Sequence, residues 1–236
     1  MMLTNSQKCI MEKCEKELKD SLRTGELPEE YYYNSIVFCL IDSIFSIGVK
    51  YSCVKKTVMN YCDNLKLERI HKQTKNPSDE HTVDDYINYI NKIESDDYGR
   101  ETILDNRQKT STRNGIYKAE AVYIAATVLK NRGIQRISDI RKYEDIKGLE
   151  CEFKKIKGQG SGISFSYFMM LAGDDNYMKI DRWLMRFVEK ATGKKLDVEC
   201  TNKELSAVYD ALKIKYQRLT PRSFDYAIWN YSKSNL

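Results

Sequence analysis

Ile156-Lys157-Gly158-Gln159-Gly160-Ser161-Gly162 sets three alternating glycines between two apolar helical patterns. Leu149 to Ile156 reads as a short helix and Ile163 to Leu171 as a second one. The glycines permit positive backbone torsions and leave amide N–H groups bare. Unpaired amides at a helix start carry partial positive charge, so an anion can dock there. Such a turn serves equally as a plain joint between helices. One helix further on, Lys179-Ile180-Asp181-Arg182-Trp183-Leu184 carries a lone carboxylate at the head of another helical pattern. The helix dipole favours the ionised form of an acid placed there. Asp181 therefore reads either as a simple cap or as a reactive group.

Working outward, the chain predicts an all-α protein. It has three prolines, and none interrupts a long periodic segment. Ile36, Val37, Leu40, Ile41 and Ile44 recur at helical spacing, as do Val54, Val58 and Tyr61. Tyr86, Ile87, Ile90 and Ile93 mark a further helix, with Thr82 as its cap. Tyr117, Ala121, Ile124, Ala125 and Val128 form an apolar stripe that Gly133 closes. Thr201-Asn202-Lys203-Glu204 has the form of a capping box, and Thr220-Pro221 opens the last helix. Arg69 to Asp79 and Asp105 to Gly115 are polar, turn-rich loops.

The 236 residues allow one large domain or two small lobes. The longest apolar run, around Ile36 to Val49, is interrupted by Asp42, so no membrane span is expected. Met1 to Asp20 lacks the apolar centre of a signal peptide, which predicts a cytoplasmic protein. The seven cysteines form no C-x-x-C pair, and neither His71 nor His81 lies near one, which argues against a zinc or iron–sulfur site. Net charge is +5, and the basic residues cluster. Arg107, Lys109, Arg113 and Lys118 come without an acid between them, Lys154, Lys155 and Lys157 follow, and Lys179, Arg182 and Arg186 flank Asp181. The clusters read as a polyanion-binding surface or as ordinary solvated lysines.

The pairing of Gly158-Gln159-Gly160 with Asp181, twenty-one residues after Gly160, resembles the helix-hairpin-helix DNA glycosylase superfamily, the group of endonuclease III, MutY and the alkylation-repair glycosylases. Leu184 and Arg186-Phe187-Val188 match the helix that follows the family's Asp, and Tyr117-Lys118-Ala119-Glu120 resembles the family helix that begins with Lys-Ala. The resemblance covers Ile36 to Val188, with the hairpin and the Asp as its specific parts. It implies a two-lobed helical fold with the active-site cleft between lobes. One lobe would span approximately 48–173 and end in the hairpin. The other would comprise approximately 1–47 and 174–236 and carry the catalytic Asp.

The resemblance also assigns roles. Asp181 would stabilise the oxocarbenium-like sugar and orient the attacking water. Backbone amides of Gly158, Gly160, Gly162 and Ile163 would hold DNA, with charge from Lys154, Lys155, Lys157 and Arg182. The carbonyls of Lys154, Ile156 and Gln159 would bind a Na+ or K+ that bridges to a phosphate; no other cofactor is implied. The gap left by an extruded base would be filled from the loop of Arg113, Asn114 and Ile116 or from the turn at Ile47 and Gly48. Trp183, Tyr167, Tyr177, Phe45 and Tyr51 read as pocket walls or as core. Where members that cut the abasic strand place a Lys, this chain has Gly162, which implies a monofunctional enzyme. Lys157 stands where Pro is usual, and the cysteine cluster of endonuclease III is missing. No second acid for the leaving base stands out, which favours a base that departs easily, such as a cationic alkylated purine; a hypermodified base stays open. The expected partner is double-stranded DNA with a damaged or modified base, bound by a monomer, nucleoid-associated in a prokaryote. The alternative is a non-catalytic DNA-binding or damage-sensing protein built on the same hairpin.

Overall fold

A computed structural model describes residues 3–71, 80–94 and 100–236. Most of the Arg69 to Asp79 loop, residues 72–79, thus lies outside the described residues. In chain order the helices are α1 (Asn5–Glu17), α2 (Lys19–Thr24), α3 (Ile36–Phe45), α4 (Tyr51–Leu65), α5 (Val83–Glu94), α6 (Arg100–Ile103), α7 (Lys118–Asn131), α8 (Ile137–Ile140), α9 (Ile146–Lys155), α10 (Ile163–Leu171), α11 (Arg182–Thr192), α12 (Val198–Lys215) and α13 (Pro221–Asn235), with a 3-10 turn at Glu29–Tyr32. Among the described residues no strand forms, only two isolated antiparallel bridges, Tyr33 with Ile70 and Lys109 with Tyr117. The protein is all-α. None of the described helices is long and apolar enough to cross a membrane.

The chain divides into two compact units, Met1–Pro28 with Asp174–Leu236, and Glu29–Gly173. The larger unit is built around α3. All ten of its residues are buried, and it packs on α7, α10 and α4. The run therefore continues straight through Asp42, whose Oδ2 accepts hydrogen bonds from the hydroxyls of Tyr33 (2.7 Å) and Tyr51 (3.1 Å). Phenol donors make a carboxylate tolerable in an apolar helix. α3 was expected in the same lobe as the N-terminus; its packing puts it in the larger unit instead. A helix buried on every side carries no polar face to mark which core it joins.

The smaller unit packs α11 on α13 and α1, and α1 on α12. Leu184, Phe187 and Val188 of α11, at i, i+3 and i+4, are fully buried with Ile10, Leu205, Val208, Phe224 and Ile228. Each such side chain contributes about 1.5–3 kcal/mol of apolar transfer free energy.

Two local expectations are corrected. α12 begins at Val198, capped by Asp197, whose Oδ1 accepts from the Cys200 amide at 2.7 Å. Thr201 is an interior, fully buried residue whose hydroxyl donates back to the Asp197 carbonyl at 2.6 Å. The earlier acid took the cap, and the threonine made the i−4 bond that helical threonines readily make. On α7 the buried face is Ala119, Ala121, Val122, Ala125, Ala126 and Leu129, while Tyr117 is 39% exposed and Ile124 and Val128 are half-buried. The helices at Thr82, Gly133 and Thr220 start and stop where their caps indicate: Thr82 and Asp85 exchange reciprocal bonds, Gly133 has φ +70°, and Thr220 accepts from the Ser223 amide.

Candidate functional site

The hairpin belongs to the larger unit. α9 ends at Lys155 and α10 starts at Ile163, so the turn spans 156–162. Gly158 (φ +90°) and Gly162 (φ +75°) use left-handed torsions; Gly160 does not. A side chain at Gly158 is barred twice, since a Cβ there would lie 2.4 Å from Cβ of Thr110. The loop bearing Thr110 is thus pressed onto the hairpin. At Gly160 a Cβ would meet only the Lys154 carbonyl, at 3.7 Å. Lys157, Gly158, Gly160 and Ser161 are exposed. The amides of Gly158 and Gly160 donate to no partner among the described residues, so they are free to donate to an anion.

Other hairpin residues behave differently from expectation. Gly162 is buried, its amide donates to the Gln159 carbonyl at 3.0 Å, and it serves as the N-cap of α10. The Ile163 amide is turned toward Ser161 Oγ at 3.4 Å. Lys154 lies over Gly162 and pairs with Glu150 at 2.6 Å, which spends part of its charge internally. Lys155 and Lys157 are exposed. The carbonyls of Ile156 and Gln159 each accept one turn bond, from Gln159 N and Gly162 N, and keep a second lone pair. Gln159 is 2% exposed, yet its Oε1 has no partner among the described residues. An unpaired buried acceptor on one of the residues expected to hold Na+ or K+ is compatible with a small cation there.

The loop expected to carry the wedge is closed by the Lys109–Tyr117 bridge, with Thr110 N donating to Ile116 O (2.9 Å) and Lys118 N to Gln108 O (2.8 Å). Its tip, with Arg113 and Asn114, is exposed; Ile116 is half-buried. Lys118 is 2% exposed, and its Nζ donates to the carbonyls of Phe45 (2.9 Å) and Ile47 (2.8 Å) and to Gln108 Oε1 (3.3 Å). It ties the Ile47–Gly48 turn to the 105–117 loop, so the two segments expected to supply a wedge are held together. Burial pulls the Lys118 ammonium down to about 8. Lys118, which falls in a basic cluster of the sequence, is thus no surface charge; its place at the start of an apolar helix is the signal of that.

Phe45 is fully buried core, and Tyr167 is 6% exposed. Tyr167, Tyr51 and Tyr33 surround Asp42, and burial followed by the Asp42 charge pushes all three phenols up. The sequence marks Asp42 only as a break in an apolar run and gives no sign of Tyr33 as its partner.

Asp181 belongs to the smaller unit, at the N-cap of α11. Its Oδ1 accepts from the amides of Trp183 (2.7 Å) and Leu184 (3.4 Å), and it is half-buried. Its Oδ2 accepts no hydrogen bond among the described residues. One oxygen is fixed and the other is available. Trp183 is half-buried, with the guanidiniums of Arg182 and Arg186 each 5.1 Å from its ring centroid; Tyr177 is half-buried as well. Lys179, expected as surface charge, is 9% exposed. A second acid does stand near: Asp225 of α13, 3% exposed, accepts from the Lys179 amide at 3.4 Å. A cavity of about 520 Å³ in this unit, lined by Arg23, Thr24, Lys215, Tyr216, Gln217 and Arg218, includes none of these residues.

This pair of helical units, one with an anion-ready hairpin and one with a half-free capping acid, matches a family model described as Domain of unknown function (DUF8548) over residues 8–233. The chain belongs to that family. No curated protein and no solved structure matches it.

Proposed function

We propose that this protein is a monofunctional DNA glycosylase of helix-hairpin-helix type, which hydrolyses the N-glycosidic bond of an extruded, modified base and leaves an abasic site. The observation that carries the reading is Asp181. Two backbone amides hold one of its oxygens at a helix head while the other is left to act on a cationic sugar or its attacking water. The open amides of Gly158 and Gly160, with Lys157 beside them, supply a phosphate grip. Na+ or K+ held by the carbonyls of Lys154, Ile156 and Gln159 would add positive charge at that grip. Arg113, Asn114 and Ile116, on the loop seated against Gly158, would fill the vacated stack. Gly162 provides no amine, so the enzyme leaves the strand uncut.

The test is a mass-spectrometric screen for free bases released from duplexes carrying alkylated, oxidised, deaminated or hypermodified bases. The reading expects one class to be released, with no strand scission until heat or alkali is applied. Tight, salt-sensitive binding with no base released from any duplex would instead make the protein a binding module.

A further inference from the structure

We propose that Asp225 is a positioning residue for Asp181: it grips the Lys179 peptide so that the turn entering α11 presents Asp181 in one fixed geometry. The inference rests on the reading of Asp181 as the reacting carboxylate. The Lys179 peptide is held at both ends. Its N–H donates to Asp225 Oδ1 at 3.4 Å, and its carbonyl accepts from the Asp181 amide at 2.7 Å. Between them Ile180, 5% exposed, anchors the turn in the core that α11 and α13 share. Asp181 is therefore two residues from a backbone group that a neighbouring helix holds in place.

Asp225 is suited to this and to little else. It is 3% exposed, and its Oδ2 has no partner among the described residues. A buried carboxylate with one long amide bond is poorly compensated as an anion. Burial, and then the charge of Asp181, pushes the Asp225 carboxyl well above the usual carboxylate range; the Lys179 ammonium and amide pull the other way. A neutral carboxyl still accepts at its carbonyl oxygen, so the grip on Lys179 survives. It also adds no second negative charge beside Asp181. Two acids in one place thus take separate tasks, the half-exposed one for reaction and the buried one for support.

Asparagine keeps the carbonyl acceptor and the neutral state; alanine removes both the acceptor and the reach. In the full chain, amide exchange at Trp183 and Leu184 reads the cap of Asp181 directly, and Leu205 and Val208 of α12 serve as the internal reference. Asp225→Ala is expected to speed exchange at Trp183 and Leu184 at least about tenfold relative to the reference. It should also lower kcat for base release at least about tenfold with KM within about threefold. Asp225→Asn should stay within about threefold on every readout. Unchanged cap amides in Asp225→Ala, or damage by asparagine equal to that by alanine, overturns the proposal. If Asp225→Ala does not fold, Asp225→Ser is read in its place by the same criteria. A protein that releases no base sinks the glycosylase reading, while the exchange data still decide the grip.

Discussion

Each unit buries an ionisable side chain against the backbone beside its candidate functional segment, and the two are of opposite kind. In the smaller unit an acid, Asp225, accepts from an amide of the turn before α11. In the larger unit a base, Lys118, donates to two carbonyls, one on the last residue of α3 and one just beyond it. The sign follows the backbone group that needs a partner. A turn offers N–H and draws an acceptor, whereas a helix C-terminus offers C=O and draws a donor. Both groups are driven toward neutrality by burial, so the two groups contribute to stability with opposite pH dependence.

The largest effect expected from breaking this comparison comes from separating binding from chemistry. Gly158→Ala, which forces a left-handed residue and a Cβ into Thr110, should dislodge the loop and weaken DNA binding about tenfold or more by anisotropy titration. Base release from the DNA that is still bound should persist, because the acid lies in the other unit.

Next in size, Lys118→Met leaves the carbonyls of Phe45 and Ile47 without their donor and should cost about 2 kcal/mol of chemical-denaturation stability. Amides around Ile47 and 105–117 should lose protection first. A loss spread evenly over the chain would contradict the tie between those loops.

The pH comparison is smaller and sharper. Lys118 has a folded value of about 8, below the 10.5 of an exposed lysine, so between these values the unfolded chain binds more protons and protection in the larger unit should rise with pH. His81, lowered by burial and bonded to Tyr61 at 2.8 Å, acts in the same sense below pH 6.5: acidification should weaken that unit. Asp225 is raised, so its folded form keeps a proton the unfolded chain loses, and the smaller unit should lose protection as pH climbs above about 4. Both tryptophans, Trp183 and Trp229, lie in the smaller unit, so tryptophan fluorescence, excited selectively over tyrosine, follows it alone. Parallel pH trends in the two units would break the comparison.

Smallest of all is the contrast between two hairpin lysines. Lys157→Ala should lower the salt slope of DNA binding by about 1, and Lys154→Ala by less, because Glu150 already neutralises Lys154.

Much of this was legible in the residues. Alternating glycines placed the turn, and the bounds of α10 at Ile163 and Leu171 follow from the apolar run between Gly162 and Gly173. The cap role of Asp181 could be read from its place before an i, i+3, i+4 stripe. What escaped has a common cause. Asp225 meets Asp181 across forty-four residues through the backbone amide of a third, and a backbone partner leaves no side-chain pattern. Lys118 and Lys179 looked like surface charge because sequence records what a side chain is and not what encloses it. Thr201 looked like a cap because Asp197, four residues earlier, competes by the same chemistry.

The account stands or falls on Asp181, and single-turnover base release at saturating, matched DNA occupancy tests it most directly. Asp181→Asn keeps an acceptor oxygen for the Trp183 and Leu184 amides but removes the negative charge. Release should fall about a thousandfold or more while the dissociation constant stays within about threefold. Release by Asp181→Asn at the rate of the unaltered protein would contradict the account.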